Sequence, residues 1–238
     1  MTDRIRKAET FLREKLTESS YFIKYPEKLD YRIEHSVRVA RIAGEIAAAE
    51  NMDEEAAVIA GLLHDVSYCL EFGDHSGWLD HGRNAARIAR PFLESLGLPV
   101  DTVEEICYGI AVHVDGKADF EGVATPLALT VTDADNIDRF DAYRLYETLE
   151  YAGYSKLPTE EKRAYAETIL QKMDDYFRME LATPTATDFW RWRITYYQDF
   201  FRRLLSQLDA GTGYLTVERS KAGRVEGLDR LIQLSGHF

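Results

Sequence analysis

Four of the chain's six histidines stand in one ordered series with two aspartates: His35, the adjacent pair His64-Asp65, His81, His113 and Asp135. Each lies in a stretch that reads as helix. Imidazole nitrogen and carboxylate oxygen are the usual ligands for Zn, Fe, Mn and Ni, and the helices of a bundle can aim them from several directions into one cavity. A single histidine on an apolar helical face is usually a hydrogen-bonded core residue. A whole series of them with interleaved carboxylates is harder to account for in that way. The pair His64-Asp65 carries the most weight, because side chains at i and i+1 diverge by about 100° around a helix, which suits two ligands on neighbouring edges of one metal. Burying both after AAVIAGLL is expensive without a partner, and a cation supplies one.

The elements that must hold these residues are helices, since strand signals are nearly absent. In residues 31–50, positions 33, 37, 40, 44 and 47 carry Ile, Val, Ala, Gly and Ala, a small-residue stripe for close packing. His35 lies on an adjoining stripe with Val39, Ile42 and Ile46. The segment EEAAVIAGLLHDV is apolar on all sides up to His64, the pattern of a helix in the middle of a bundle. SYCLEFGDHSGWLD has two glycines and no sustained period, and reads as a loop. Asp80 is expected to cap a helix that begins at His81, is bent by Pro91 and is ended by Gly97. Thr102 and Glu105 have capping-box spacing for a helix with Ile106, Gly109, Ile110 and His113 on one side. Thr125-Pro126 starts the next helix, with Asp135 between two and three turns in. Beyond it, TEEKRAYAETILQKMDDYF and TDFWRWRITYYQDFFRRLLSQL are two long aromatic-rich helical patterns. Trp190, Trp192, Tyr196, Tyr197, Phe200 and Phe201 have helical spacing, which suits bundle core or a homodimer surface better than a ligand platform.

The chain of 238 residues is long enough for one large core or for a core with a helical appendage. The expected division is a helical core with its N-terminal helix over 1–155 and a C-terminal helical extension over 156–238, packed as one structural domain. With 45% hydrophobic and 29% charged residues it reads as globular, and no run of about 18 apolar residues suggests a membrane span. The start, MTDRIRKAETFLREKL, is amphipathic and lacks a signal peptide's apolar centre, so the cytoplasm is the expected compartment. Cys69 and Cys107 are too few for a disulfide framework and suit reducing surroundings. A net charge of -12 argues against a protein that coats a nucleic-acid duplex through a basic face, while an anionic small molecule fits if cations are concentrated locally.

At its metal-ligand positions the chain closely resembles the HD-domain superfamily of metal-dependent phosphohydrolases. The resemblance covers about residues 31–142 and rests on HSVRVA from His35, LLHDV around His64-Asp65, HGRNAARIA from His81, IAVH ending at His113, and DADNID from Asp133 to Asp138. The family signature of His, His-Asp and Asp matches His35, His64-Asp65 and Asp135, and the two histidines added in two-metal members match His81 and His113. Asp133 is the alternative to Asp135 as ligand, or a group that orients a histidine. The resemblance implies an all-α bundle around the metals.

It also implies a mechanism. His35, His64, Asp65 and Asp135 would hold one divalent transition metal, and Asp65 would bridge to a second held by His81 and His113; Fe or Mn is favoured, with Ni, Co or Zn also suitable. A hydroxide shared by the two metals would attack phosphorus in a nucleotide or another small phosphate ester or anhydride. Arg38, Lys117 and Arg139 are placed to contact phosphate. Glu71 and Asp74, in the loop after Asp65, are candidates for the acid that protonates the leaving group. His75, in the same loop, is expected at the solvent, and Tyr68, Phe72 and Trp78 either stack on substrate or pack the loop down. Two other readings share the ligand set: a di-iron oxygenase that cleaves a C–C or C–P bond, and a regulatory small-molecule-binding module without catalysis.

Overall fold

A computed structural model of the protein describes residues 1–72 and 75–210. Among these residues there are eleven α-helices, two short 3-10 turns and no strand, as the all-α reading requires. No described helix is long and apolar enough to cross a membrane. The described residues divide into two compact units, one of Met1–Asp138 with Glu180–Thr187, the other of Arg139–Met179 with 188–210. The division falls at the end of the helix that carries Asp135, ahead of the boundary at 155 read from the sequence.

The first unit holds α1 (Asp3–Thr17), α2 (Ser20–Lys24), α3 (Glu27–Ala49), α4 (Glu54–Leu63), α5 (His75–Leu79), α6 (His81–Ser95), α7 (Val100–Val112) and α8 (Pro126–Asp138). Its core is aliphatic: Leu12, Leu16, Ile59, Leu63, Leu93, Ile106 and Ile110 are fully buried. Each such side chain contributes about 1.5 to 3 kcal/mol by leaving water. Helix α4 is the central one, packed against α1, α3, α7 and α8, which explains why its sequence is apolar on every side. The small-residue stripe of α3 faces α4. A Cβ added at Gly61 would lie 2.6 Å from the Ala40 Cα, so only glycine lets these backbones approach so closely. Val37, assigned to that stripe, is instead 39% exposed, because the buried arc here runs through Ser36, Val39 and Ala40 and widens only from Ile42 on.

Two expected helix starts take other forms. Asp80 precedes α6 but makes no capping bond; its carboxylate is engaged by Arg83. Helix α7 begins at Val100, where the Pro99 carbonyl accepts the Val103 N–H at 3.0 Å, so Thr102 lies inside the helix and Glu105 takes the Thr125 hydroxyl instead of closing a capping box. Thr125 does cap α8, accepting from the Ala128 N–H at 3.1 Å. The segment read as a loop contains a 3-10 turn over Val66–Cys69 and the short α5.

The second unit holds α9 (Ala142–Tyr151), α10 (Thr159–Tyr176) and the part of α11 (Pro184–Ala210) from Asp188 onward. Phe140 is ringed by Tyr176, Trp190 and Tyr197 with centroids 4.9 to 5.5 Å away. The aromatic stripe of α11 is split: Trp190, Tyr197 and Phe201 are core, while Trp192 is 64% exposed.

Candidate metal centre

The six expected ligands converge, and none is more than 5% exposed. His35 comes from the middle of α3 and Asp135 from the third turn of α8. His64 and His113 occupy the C-terminal caps of α4 and α7, and His81 is the first residue of α6. Two helix C-termini therefore point their partial negative charge at the cluster, which favours a cation there.

Three of the four imidazoles are fixed by backbone carbonyls. His64 Nδ1 donates to Gly61 O at 2.8 Å, His81 Nδ1 to Trp78 O at 2.6 Å and His113 Nδ1 to Ile110 O at 2.7 Å. A carbonyl only accepts, so each Nδ1 carries the hydrogen and the neutral ring turns a bare Nε2 lone pair inward. The Nε2 atoms meet in pairs, His35 with His64 at 3.3 Å and His81 with His113 at 3.1 Å. Asp65 lies between the pairs and faces one carboxylate oxygen to each. Its Oδ2 is 3.5 Å from His35 Nε2 and 3.4 Å from His64 Nε2; its Oδ1 is 3.3 Å from His81 Nε2 and 3.7 Å from His113 Nε2. Asp135 Oδ1 joins the first pair, 3.2 Å from His35 Nε2 and 3.9 Å from His64 Nε2. Buried lone pairs that converge at such distances fit a cation as their common partner, and imidazole with carboxylate is a donor set for divalent transition metals.

The approach of His81 to His113 depends on Gly82. A Cβ there would lie 2.8 Å from Ala111 O, 3.0 Å from Ile110 O and 3.1 Å from His113 Nδ1, so α6 can cross the end of α7 only with glycine at this position. Ser67 Oγ, donating to His81 O at 2.8 Å, holds the same backbone from the other side.

The electrostatics point the same way. Burial alone would push His35 down, but its hydrogen bonds to Asp135, Asp138 and Asp65 outweigh that and raise it to about 10. His64, with no carboxylate at its Nδ1, is pushed down to about 4 by burial. Burial opposes ionisation of Asp65, yet His64, Arg32 and the hydrogen bonds of His113 and His35 hold it well below the usual carboxylate range. Cationic charge is thus drawn to the His35 half of the site.

Two neighbours of the ligands escaped the sequence reading. Asp138 accepts His35 Nδ1–H at 2.8 Å, fixing the one imidazole that lacks a carbonyl partner. Arg32 contacts Asp65 Oδ2 and stacks on the Tyr68 ring, 3.5 Å from its centroid. Each stands three residues from a ligand, Arg32 before His35 and Asp138 after Asp135; that one-turn spacing was the available signal. Of the residues expected to contact phosphate, Arg38 is a fork on Asp138, at 2.7 and 3.2 Å. Lys117 is exposed in the turn after α7. Arg139 belongs to the second unit, where it lines a small, mainly apolar cavity with Phe140, Tyr165 and Met173. Glu71 is exposed, with Ser20 Oγ 3.4 Å away; Asp74 lies outside the described residues. Asp133 is buried but turned from the cluster; it accepts the Ala182 N–H at 3.0 Å, and burial raises it to about 6. His75 is exposed and stacks on Trp78. The rings of Tyr68, Phe72 and Trp78 flank His81 with centroids 5.3 to 6.2 Å away.

Comparison with known proteins places a family match over the segment that carries these residues. The family model described as HD domain matches residues 32–140, which span all six ligands as well as Arg32 and Asp138. The chain is 34% identical over 118 residues to Ribonuclease Y of Acetivibrio thermocellus, a match covering 50% of this chain and 20% of that protein. In fold it resembles a predicted HD superfamily hydrolase from an uncultured Thermotogales bacterium, with a TM-score of 0.58 and 23% identity over 85% of this chain and 91% of the other. The segment 32–140, which carries the six expected ligands, thus resembles the HD domain.

Proposed function

We propose that the chain is a metal-dependent phosphohydrolase that cleaves a nucleotide or another small phosphate ester or anhydride. The observation that supports this best is the division of Asp65, one oxygen toward His35 and His64, the other toward His81 and His113. His35, His64, Asp65 and Asp135 would hold one divalent transition metal, and Asp65, His81 and His113 a second. Two such ions would lower the pKa of a coordinated water toward neutrality and neutralise charge on a phosphoryl oxygen.

The chain's own groups do the rest. The carbonyls of Gly61, Trp78 and Ile110, with the Asp138 carboxylate, keep every Nε2 aimed inward, so no reorientation is needed when substrate arrives. Arg32 keeps a guanidinium at the edge of the cluster, its side chain 16% exposed and seated on Tyr68, where it can donate to phosphoryl oxygens. Arg38 acts one step back, through Asp138 on His35. Tyr68, Phe72 and Trp78 exclude water beside His81 and offer a flat apolar wall to the leaving group. Glu71 and Asp74 are the two loop residues we put forward as the acid that protonates that group. Ribonuclease Y is by name an RNA-cleaving enzyme, and the segment it shares with this chain supports phosphoester hydrolysis. The net charge of -12 favours a small substrate over a polyanion.

The test is phosphate release from a panel of nucleotides and small phosphomonoesters with Mn(II) or Fe(II). Hydrolysis of at least one member, abolished in Asp65→Ala, is the expected result. Oxygen uptake with Fe(II) and no hydrolysis across the panel would replace this reading with a di-iron oxygenase.

A further inference from the structure

We propose that Arg83 is the positioning residue of the second metal position, the one bounded by Asp65 Oδ1, His81 and His113; the inference rests on the two-metal reading above. Arg83 follows His81 by two residues, and its side chain is 13% exposed. All three guanidinium nitrogens are engaged. Nε and Nη2 donate to Asp80 Oδ1 at 2.9 and 2.6 Å, and Nη2 also to Leu79 O at 3.0 Å. Nη1 donates to Asp115 Oδ1 at 2.8 Å and to Lys117 O at 3.0 Å.

These acceptors fall in two segments far apart in sequence. Leu79 and Asp80 lead directly into His81, and the carbonyl next to Leu79, that of Trp78, is the one that fixes the His81 tautomer. Asp115 and Lys117 form the turn that leads away from His113, closed by the Lys117 N–H on Asp115 Oδ1 at 3.1 Å. One planar fork thus ties the chain entering the first histidine to the chain leaving the second. Neither histidine has a carboxylate at Nδ1, unlike His35, so their positions depend on backbone placement alone. An exposed ion pair would hardly affect that placement. A mostly buried fork that holds two carbonyls and two carboxylates from both segments would, and a lysine cannot reproduce the fork.

Co(II) titration followed by visible absorption and metal analysis tests this on the full chain. In Arg83→Gln the first equivalent should bind as in wild type, while the second weakens by about 10- to 100-fold, the usual loss for a removed supporting contact. Arg83→Lys should recover only part of it. Arg87→Gln, which loses an exposed ion pair with Asp119 one turn on, should bind both equivalents normally. Wild-type affinity for both equivalents in Arg83→Gln would overturn the proposal. If the wild-type chain takes up only one equivalent, the two-metal reading fails and the clamp is judged by imidazole 15N NMR instead. There Arg83→Gln should lose the His81 Nδ1–H signal and keep that of His64; persistence of both would overturn it. Should Arg83→Gln not fold, Asp115→Asn removes a single acceptor and should give a smaller weakening of the same second equivalent, and no weakening would refute the clamp.

Discussion

At the scale of single residues, the site is defined as much by what holds the imidazoles as by the imidazoles. Three rings are fixed by carbonyls of their own or a neighbouring turn, and His35 is fixed by Asp138, itself forked by Arg38. Replacing Asp138 by Asn removes the charge but keeps a hydrogen-bond acceptor. Affinity for the metal at the His35 half should then fall by about 10- to 100-fold, read by competition with a chelating dye, with helical content unchanged. Unaltered affinity would show that Asp138 serves only to seat Arg38. The convergence of these six residues was legible in the sequence because residue type and helical setting both speak for it. Arg32, Asp138 and Arg83 were not, since a charged side chain at the surface of a helix has no marked partner until another helix brings one. Asp80 shows the same ambiguity: as a sequence feature it is a helix cap, and in the folded chain Arg83 outcompetes the backbone for it.

At the scale of elements, the cluster exists because helix ends meet helix flanks. The C-termini of α4 and α7 and the N-terminus of α6 converge on residues from α3 and α8, and glycines set how closely the backbones approach. Gly82→Ala would drive a methyl group into the Ala111 and Ile110 carbonyls of α7 and toward the hydrogen-bonded His113 ring, none of which can yield easily. We expect a loss of about 1 to 3 kcal/mol in urea unfolding, with weakened binding of the second metal as α6 moves off α7. A variant as stable as wild type, with both metals bound, would mean that the crossing can relax. The helix content and the buried character of α4 were readable from periodicity. The start of α7 was not, because Thr102 and Glu105 match a capping box only until Pro99 begins the helix earlier and Thr125 claims the glutamate.

At the scale of the whole molecule, all six candidate ligands and the residues that support them lie in the first compact unit, within the segment that matches the HD domain. The net charge of -12 gives the chain a field that attracts cations and repels large polyanions. Under the proposed function, an anionic substrate would therefore be gathered locally, by Arg32 and by the metals. The most direct test of this account is the metal content of the chain after reconstitution with Mn(II), read with the same measurement on Asp65→Ala. The account predicts about two equivalents in the wild type and, because one carboxylate serves both positions, a loss at both in the variant. A wild-type chain that saturates at one equivalent or takes up none, or an Asp65→Ala chain that still binds two, would contradict it.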